Sequence, residues 1–460
     1  MPQNAAKNAP INAAGAARFV RAGGHEHIKV GVTDMDGVLR GKYMARDKFL
    51  AALRGGFGFC DVVLGWDVDD ALYDKARYTG WHTGFPDAPV KIAPETGRTI
   101  PFEDGLPLFL GEFSGDAEAI CPRGTLRRVL ARADSMGFRV KAGFEYEFFL
   151  AAETPQSLHA KDFRHPEPVA PANTGYSLLR ATTGAEFYRD LLATCTAMDI
   201  PLEGLHEEMG AGALEAAIAA GDGLATADRA VLFKLVAKAV AQRRGLMASF
   251  MARWSAEAAG QSGHIHLSLT KKRGGGSAFH DPKAGDGMSE IMRRFVAGQQ
   301  ALMPEFCALF APTVNSYRRL QPGAWAPTAA SWGHDNRTVA LRVIGGGAKS
   351  QRVEYRAAGA DANPYLALAA ALASGLHGIE HGLEPTAPLT GNAYEARVPR
   401  RLALPGSLDA AAARLRHSAA ARDWFGEAFT DHFAASRDWE ARQFARAVTD
   451  WELRRYFELI

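Results

Sequence analysis

Glu145 and Glu147 stand two apart in the apolar stretch GFEYEFFL (143–150). In an extended strand, residues i and i+2 share a face, so two carboxylates would lie side by side among Phe144, Phe148, Phe149 and Leu150. Neighbouring carboxylates in apolar surroundings repel and resist ionisation. A divalent cation held between them relieves both costs. His264 and His266 repeat the spacing in HIHLSL, and Arg352, Glu354 and Arg356 repeat it in RVEYR. His206, Glu207, Glu208 and Glu215 add an imidazole and three acids in HEEMGAGALE. Singly, each pattern has an ordinary explanation: a solvated strand face, hydrogen-bonded core histidines, a surface ion-pair ladder, a loop ahead of an exposed helix. Together they supply carboxylates and imidazoles without a cysteine, a donor set suited to Mg²⁺ or Mn²⁺ rather than to structural zinc.

Arginines gather downstream at 318, 319, 337, 342, 352 and 356. Metal ligands with arginines are the equipment of phosphoryl transfer, in which positioning and charge neutralisation provide nearly all the catalysis. No GxxxxGK[ST] motif is present, so a P-loop is excluded; Gly345-Gly346-Gly347 reads as a turn.

These side chains need strands to align them. Strands are expected at His27–Leu39, around the turn signal Asp36-Gly37, at Pro107–Phe113, at Arg139–Leu150 and at His264–Leu269. Helices are expected at Arg46–Arg54, from a Thr125 cap to about Met136, at Gly184–Met198, at Asp228–Arg244, from the Asn363 cap with Pro364 to about His381, and from Ser407 onward. Without regular βαβ alternation the fold class is α+β. The character changes at Cys121-Pro122, which divides the chain into a tail over 1–24, a mainly β unit over 25–121 and a larger unit over 122–460.

The 460 residues are 47% hydrophobic and 23% charged with a formal net charge of +2, values that exclude a disordered, collagenous or coiled-coil chain. Near-neutrality gives no reason to expect nucleic acid or an anionic membrane as a partner. Cys60, Cys121, Cys195 and Cys307 form no CxxC pair and read as free thiols. No apolar run reaches the ~20 residues of a membrane span, and the N-terminus lacks a signal-peptide core, so a cytoplasmic location is expected.

GFEYEFFL, HEEMGAGALE, GQSGHIHLSL, NSYRRLQPG, DNRTVALRV and RVEYRAAGADANPY occur in the order found in the glutamine synthetase family, which the chain resembles over about residues 28–460. The resemblance implies an N-terminal β-grasp domain and a catalytic domain with a curved antiparallel sheet flanked by helices. It also implies a homo-oligomer, commonly a dodecamer, with active sites shared between subunits. It implies ATP and two divalent ions, one on Glu147, Glu207 and Glu215, the other on Glu145, His264 and Glu354. Arg319, Arg356 and Gly260 match positions that hold the amino-acid substrate. Arg337 matches the arginine that steadies the transferring phosphoryl group. His266, Ser268, Arg342, Lys349 and Arg352 match positions around the nucleotide.

Departures from the family pattern shape the expected activity. The flap acid that serves ammonium in glutamine synthetases is replaced by Trp325, and an indole accepts no proton. Asp61 is the candidate for the ammonium-binding aspartate, in a shortened loop without serines. Asp67, Asp69 and Asp70 follow and read either as a solvated loop or as a seat for a cationic amine. Ala259 stands where the family commonly places an asparagine against the substrate amino group. Tyr394 falls near a family nucleotidylation position but reads as structural. The pattern is most similar to the γ-glutamylpolyamine and γ-glutamylmonoamine synthetase branch. The expected activity joins glutamate to an organic amine through γ-glutamyl phosphate. The alternatives are glutamine synthesis from ammonium and a non-catalytic family member.

Overall fold

In the computed structural model, residues 12–173 and 175–460 are described; the notional tail over residues 1–11 lies outside them. The remainder of that expected tail is a correction. Asn12 caps a helix, Ala13–Gly23, that buries Ala16 and Val20.

The first sheet contains β1 (His27–Thr33), β2 (Leu39–Ala45), β3 (Phe57–Cys60), β4 (Asp87–Ile100) and β5 (Leu106–Phe113), in the order β2-β1-β5-β4-β3. β1 and β5 run parallel and the other neighbours antiparallel, with the helix Arg46–Gly55 packed against the sheet, a β-grasp arrangement. Asp34 shapes the β1–β2 turn by accepting the amides of Asp36 and Val38. Ala16, Val20, Ile28, Val30, Phe49 and Phe109 form a small core, while Val90, Leu108 and Leu110 belong to the main core shared with the rest of the molecule.

The second sheet contains β6 (Phe138–Ala151), β7 (Leu202–Glu207), β8 (Ala213–Asp222), β9 (Met247–Ser249), β10 (Gly263–Lys271), β11 (Trp332–His334), β12 (Leu341–Ile344) and β13 (Arg352–Tyr355). Its order is β11-β12-β13-β10-β6-β8-β7, with β9 also paired to β6, and all pairs but β11–β12 are antiparallel. One face packs through Phe144, Tyr146, Phe148 and Ile265 into the core, leaving the other for polar side chains.

Helices back this sheet. Pro122, rather than a Thr125 cap, opens Pro122–Ser135; Thr125 sits in the first turn and donates to the Cys121 carbonyl. Asp222 caps Gly223–Arg243, which begins five residues before the expected Asp228. Asn363 caps Pro364–Glu380 as its sequence predicts, and its amide also donates to the carbonyls of Asp34 and Met35 in the first domain. That helix crosses Glu290–Phe310 so closely that a Cβ on Gly298 would lie 2.2 Å from the Ser374 carbonyl. Buried Arg123 joins the two domains: it donates twice to Asp228 (2.9 and 3.0 Å) and once to Glu112 on β5 (2.8 Å). The four cysteines are unpaired. Among the described residues, no helix is long and apolar enough to cross a membrane.

Candidate active site

Strand register assembles the site. His264 on β10 stands opposite Glu145 on β6, and Glu147 stands opposite Glu215 on β8, which faces His206 on β7. On the other side, His266 opposes Glu354 on β13, which opposes Arg342 on β12. Directly opposed residues and i, i+2 pairs project to the same side of a sheet. One face therefore carries Arg342, Glu354, His266, His264, Glu145, Glu147, Glu215 and His206.

His264 Nδ1 lies 3.5 Å from both Glu145 and Glu354, and His266 Nε2 lies 3.1 Å from Glu145. Burial pushes the Glu145 carboxyl up, but the hydrogen bonds and charges of both imidazoles outweigh it and hold the group well below the usual carboxylate range. Glu354 feels burial first, then His264, Arg356 and His266, and is held down at about 2. Arg342 donates to it at 2.8 Å, and Arg356 is its other partner. Glu215 behaves oppositely: burial and the charges of Glu145, Glu147, Glu208 and Glu354 push it up to about 9.

Glu207 is not part of this group, which corrects the expected ligand set. A register shift between Leu202 and Gly204 on β7 changes which side chains share a face with Glu215. Glu207 points away, buried, and accepts the Tyr188 hydroxyl at 2.9 Å. Glu208 takes its place, with His206 Nε2 lying 3.2 Å from Glu208 and 3.8 Å from Glu215. The HEEMGAGALE spacing allows either glutamate; the strand shift selects between them.

The donors fit divalent cations. Glu145, Glu215 and His264 bring ligand atoms within 4.8 Å of one another, as do His206, Glu208 and Glu215, and Glu145, His266 and Glu354. The His264 nitrogen that faces Glu145 and Glu354 is Nδ1, at 3.5 Å from each, a distance that leaves its place beside the two carboxylates open to a cation.

Glu145, Glu147, Glu208, Glu215, His264 and Glu354 line a cavity of about 290 Å³ together with Gly260, Trp325, Arg337, Arg342 and Arg356. A Cβ at Gly260 would meet Arg319 Cγ at 2.6 Å, so only glycine brings the backbone to this wall. Arg342, expected around the nucleotide, lies here instead, with Asp335 accepting from it at 2.6 Å. A second cavity of about 280 Å³ adjoins at Glu145 and is lined by His266, Ser268, Lys349 and Arg352. Arg352 donates to His266 at 3.1 Å. The other expected nucleotide residues thus share one space.

Two expected contacts fall elsewhere. Arg319 lines neither cavity: it is 2% exposed and donates to the carbonyls of Arg356 and Ala357 and to the Ser262 hydroxyl. Asp61 is buried in the first domain, where it accepts the Thr79 hydroxyl at 2.7 Å, and it does not line the cavity of its own chain. Tyr176, which no motif flags, does line it, with its ring parallel to His206 at 4.6 Å.

A carboxylate–imidazole cluster beside a basic cavity, on one face of a large and mostly antiparallel sheet, offers seats for divalent cations and for an anionic ligand. The chain belongs to the glutamine synthetase family: residues 119–456 match the family's description "glutamine synthetase, catalytic domain". It is 44% identical to type-1 glutamine synthetase 2 of Dictyostelium discoideum over 94% of this chain and 84% of that protein. It is 36% identical to glutamate–isopropylamine ligase of a Pseudomonas species over 96% of this chain and 97% of that one. The solved GmaS/ADP complex superposes with a TM-score of 0.83 at 27% identity, covering 96% and 99% of the two chains.

Proposed function

We propose that the protein is a ligase joining the γ-carboxylate of glutamate to an organic amine. The observation that carries this reading is Trp325 at the cavity mouth, where an ammonium-using enzyme of this family needs an acid. The 36% relative named for isopropylamine supports it.

Glutamate would lie against Gly260 and Arg356. Its γ-carboxylate attacks the γ-phosphorus of ATP, the bond to the bridging oxygen breaks, and ADP leaves as γ-glutamyl phosphate forms. Arg337 offsets charge on the transferring group. The free amine attacks the γ-carbonyl, phosphate departs with the bonding pair, and the nitrogen gives up a proton. Divalent ions, Mg²⁺ or Mn²⁺, would be held by Glu145, His264 and Glu354 and by Glu147, Glu208 and Glu215, and would supply charge neutralisation for ATP. His266, Ser268, Lys349 and Arg352 would hold the nucleotide. Asp61 would act only across a subunit boundary, which fits a homo-oligomer with shared sites.

ADP release measured with ATP, Mg²⁺ and glutamate tests the reading across ammonium, methylamine, ethanolamine, putrescine, spermidine and an aromatic monoamine. An organic amine preferred over ammonium is the expected result. Preference for ammonium would make the protein a glutamine synthetase with an unconventional proton acceptor.

A further inference from the structure

The carboxylates of the cavity already have partners. Glu145 meets His264 and His266, Glu147 accepts the Ser262 amide, Glu208 and Glu215 meet His206, and Glu354 carries Arg342 and Arg356. Two of the three acids that could have seated a second cation are also engaged, and the third, Asp69, does not line the cavity. Asp67 accepts the amides of Asp69 and Ala71 and the Trp439 indole, and Asp70 accepts Arg40. Among the residues that one chain brings to the cavity, a distal ammonium would lose water without gaining an unpaired anion, which is costly.

The cavity mouth offers hydrocarbon and π surface instead. Trp325, Tyr176 and Met209 line it and are 52%, 72% and 39% exposed. Ala259 and Ala324 add small apolar walls. His206 backs the Tyr176 ring, with the two planes 9° apart, and the Tyr176 amide donates to the Glu207 carbonyl at 2.8 Å. Trp325 is held at φ +55°, a left-handed conformation that bulky residues rarely adopt. Exposed apolar side chains grouped beside a polar cavity mark a binding surface, and aromatic faces take both an alkyl or aryl group and the positive charge of an arriving ammonium.

Resting on the ligase reading above, we infer that the amine substrate is a primary monoamine with a compact alkyl or aryl substituent. The substituent is seated on Trp325, Tyr176 and Met209, and diamines and polyamines are disfavoured.

The test uses the full-length protein with ATP, Mg²⁺ and glutamate, and matched amines of equal length: n-pentylamine against 1,4-diaminobutane, with benzylamine and ammonium alongside. Amide products are quantified by mass spectrometry. The expected kcat/KM for n-pentylamine exceeds that for the diamine by about tenfold or more. In Trp325→Ala and Tyr176→Ala this ratio falls toward one, and Trp325→Glu moves it in favour of the diamine. A wild-type diamine rate equal to or above that of the monoamine overturns the inference while leaving the ligase reading intact. A ratio unchanged in both alanine variants overturns the assignment to these side chains. Ammonium preferred to every organic amine, or no amide product at all, overturns the ligase reading and this inference with it. The wild-type ratio is decisive even if a variant fails to fold.

Discussion

Arg319 donates to the Ser262 hydroxyl at 2.9 Å, and the Ser262 amide donates to Glu147 at 2.6 Å. A fully buried guanidinium thus braces a carboxylate of the cluster through one intervening residue. The same guanidinium satisfies the carbonyls of Arg356 and Ala357, so it also fixes the backbone that carries Arg356. Lysine cannot reproduce this fork of donors.

Arg319→Lys is expected to lower stability by about 2–4 kcal/mol, since buried carbonyls lose their donors. Thermal unfolding of the ligand-free protein reads this directly. An unchanged ligand-free Tm with a raised KM for glutamate would instead make Arg319 a substrate contact.

Glu208 and Glu207 separate the same way. Glu208→Gln is expected to weaken Mn²⁺ binding about 10-fold or more, by analogy with losses of groups that support metal ligands. Glu207→Gln should leave Mn²⁺ affinity near wild type, because its side chain serves Tyr188 on the far side of the strand. Titration of Mn²⁺ followed by electron paramagnetic resonance distinguishes them. A larger loss in Glu207→Gln would restore the ligand set that family spacing implies.

That pair shows where sequence reading stops. Glu145 and Glu147, His264 and His266, and Glu354 among its arginines are legible because period-2 spacing alone puts each pair on one face. The choice between Glu207 and Glu208 depends on the β7 register shift at Leu202/Gly204, a property of the pairing with β8. Arg319 sits in a recognisable motif, but its burial depends on Gly260, 59 positions earlier, leaving room for its stem. Tyr176 lies in an irregular segment and is held at the site by its amide bond to the Glu207 carbonyl and by its stacking on His206, both of them tertiary contacts. The helix Ala13–Gly23 was hidden by a composition of small residues, and it forms because Val20 and Ala16 find a core to enter.

Glu215 links metal and pH. Its pKa is pushed up to about 9, so without metal it holds a proton near neutrality. A carboxyl raised above its unfolded value of 4.5 contributes stability that is full below about pH 4.5 and is lost progressively as pH rises to about 9. Cations replace the proton as the partner of the negative charges. Removing metal with a chelator should therefore lower Tm more at pH 9 than at pH 6.5, and Mn²⁺ binding at pH 7.5 should release protons. Calorimetry in buffers of different ionisation enthalpy measures that release. The chelator effect should be flatter with pH in Glu215→Gln.

His432 is expected to contribute to acid stability far from the chemistry. Its Nε2 donates to the Leu64 carbonyl at 2.7 Å, tying the C-terminal helix Glu427–Arg446 to the first domain, while its Nδ1 is buried without a partner. Tyr73, Tyr78 and Arg437 surround it. Burial lowers its pKa from 6.5 to about 4; the Leu64 hydrogen bond opposes the drop and Arg437 adds to it. Between those values the unfolded chain binds a proton that the native state refuses, so stability is intact above about pH 6.5 and declines as pH falls toward 4. The full decline is about 3 kcal/mol for this group. His432→Gln keeps a donor for Leu64 but cannot titrate. Denaturant unfolding at pH 7.5 and 4.5 should show a smaller acid loss in the variant than in wild type. Equal losses in the two proteins would mean that other groups govern the acid limb.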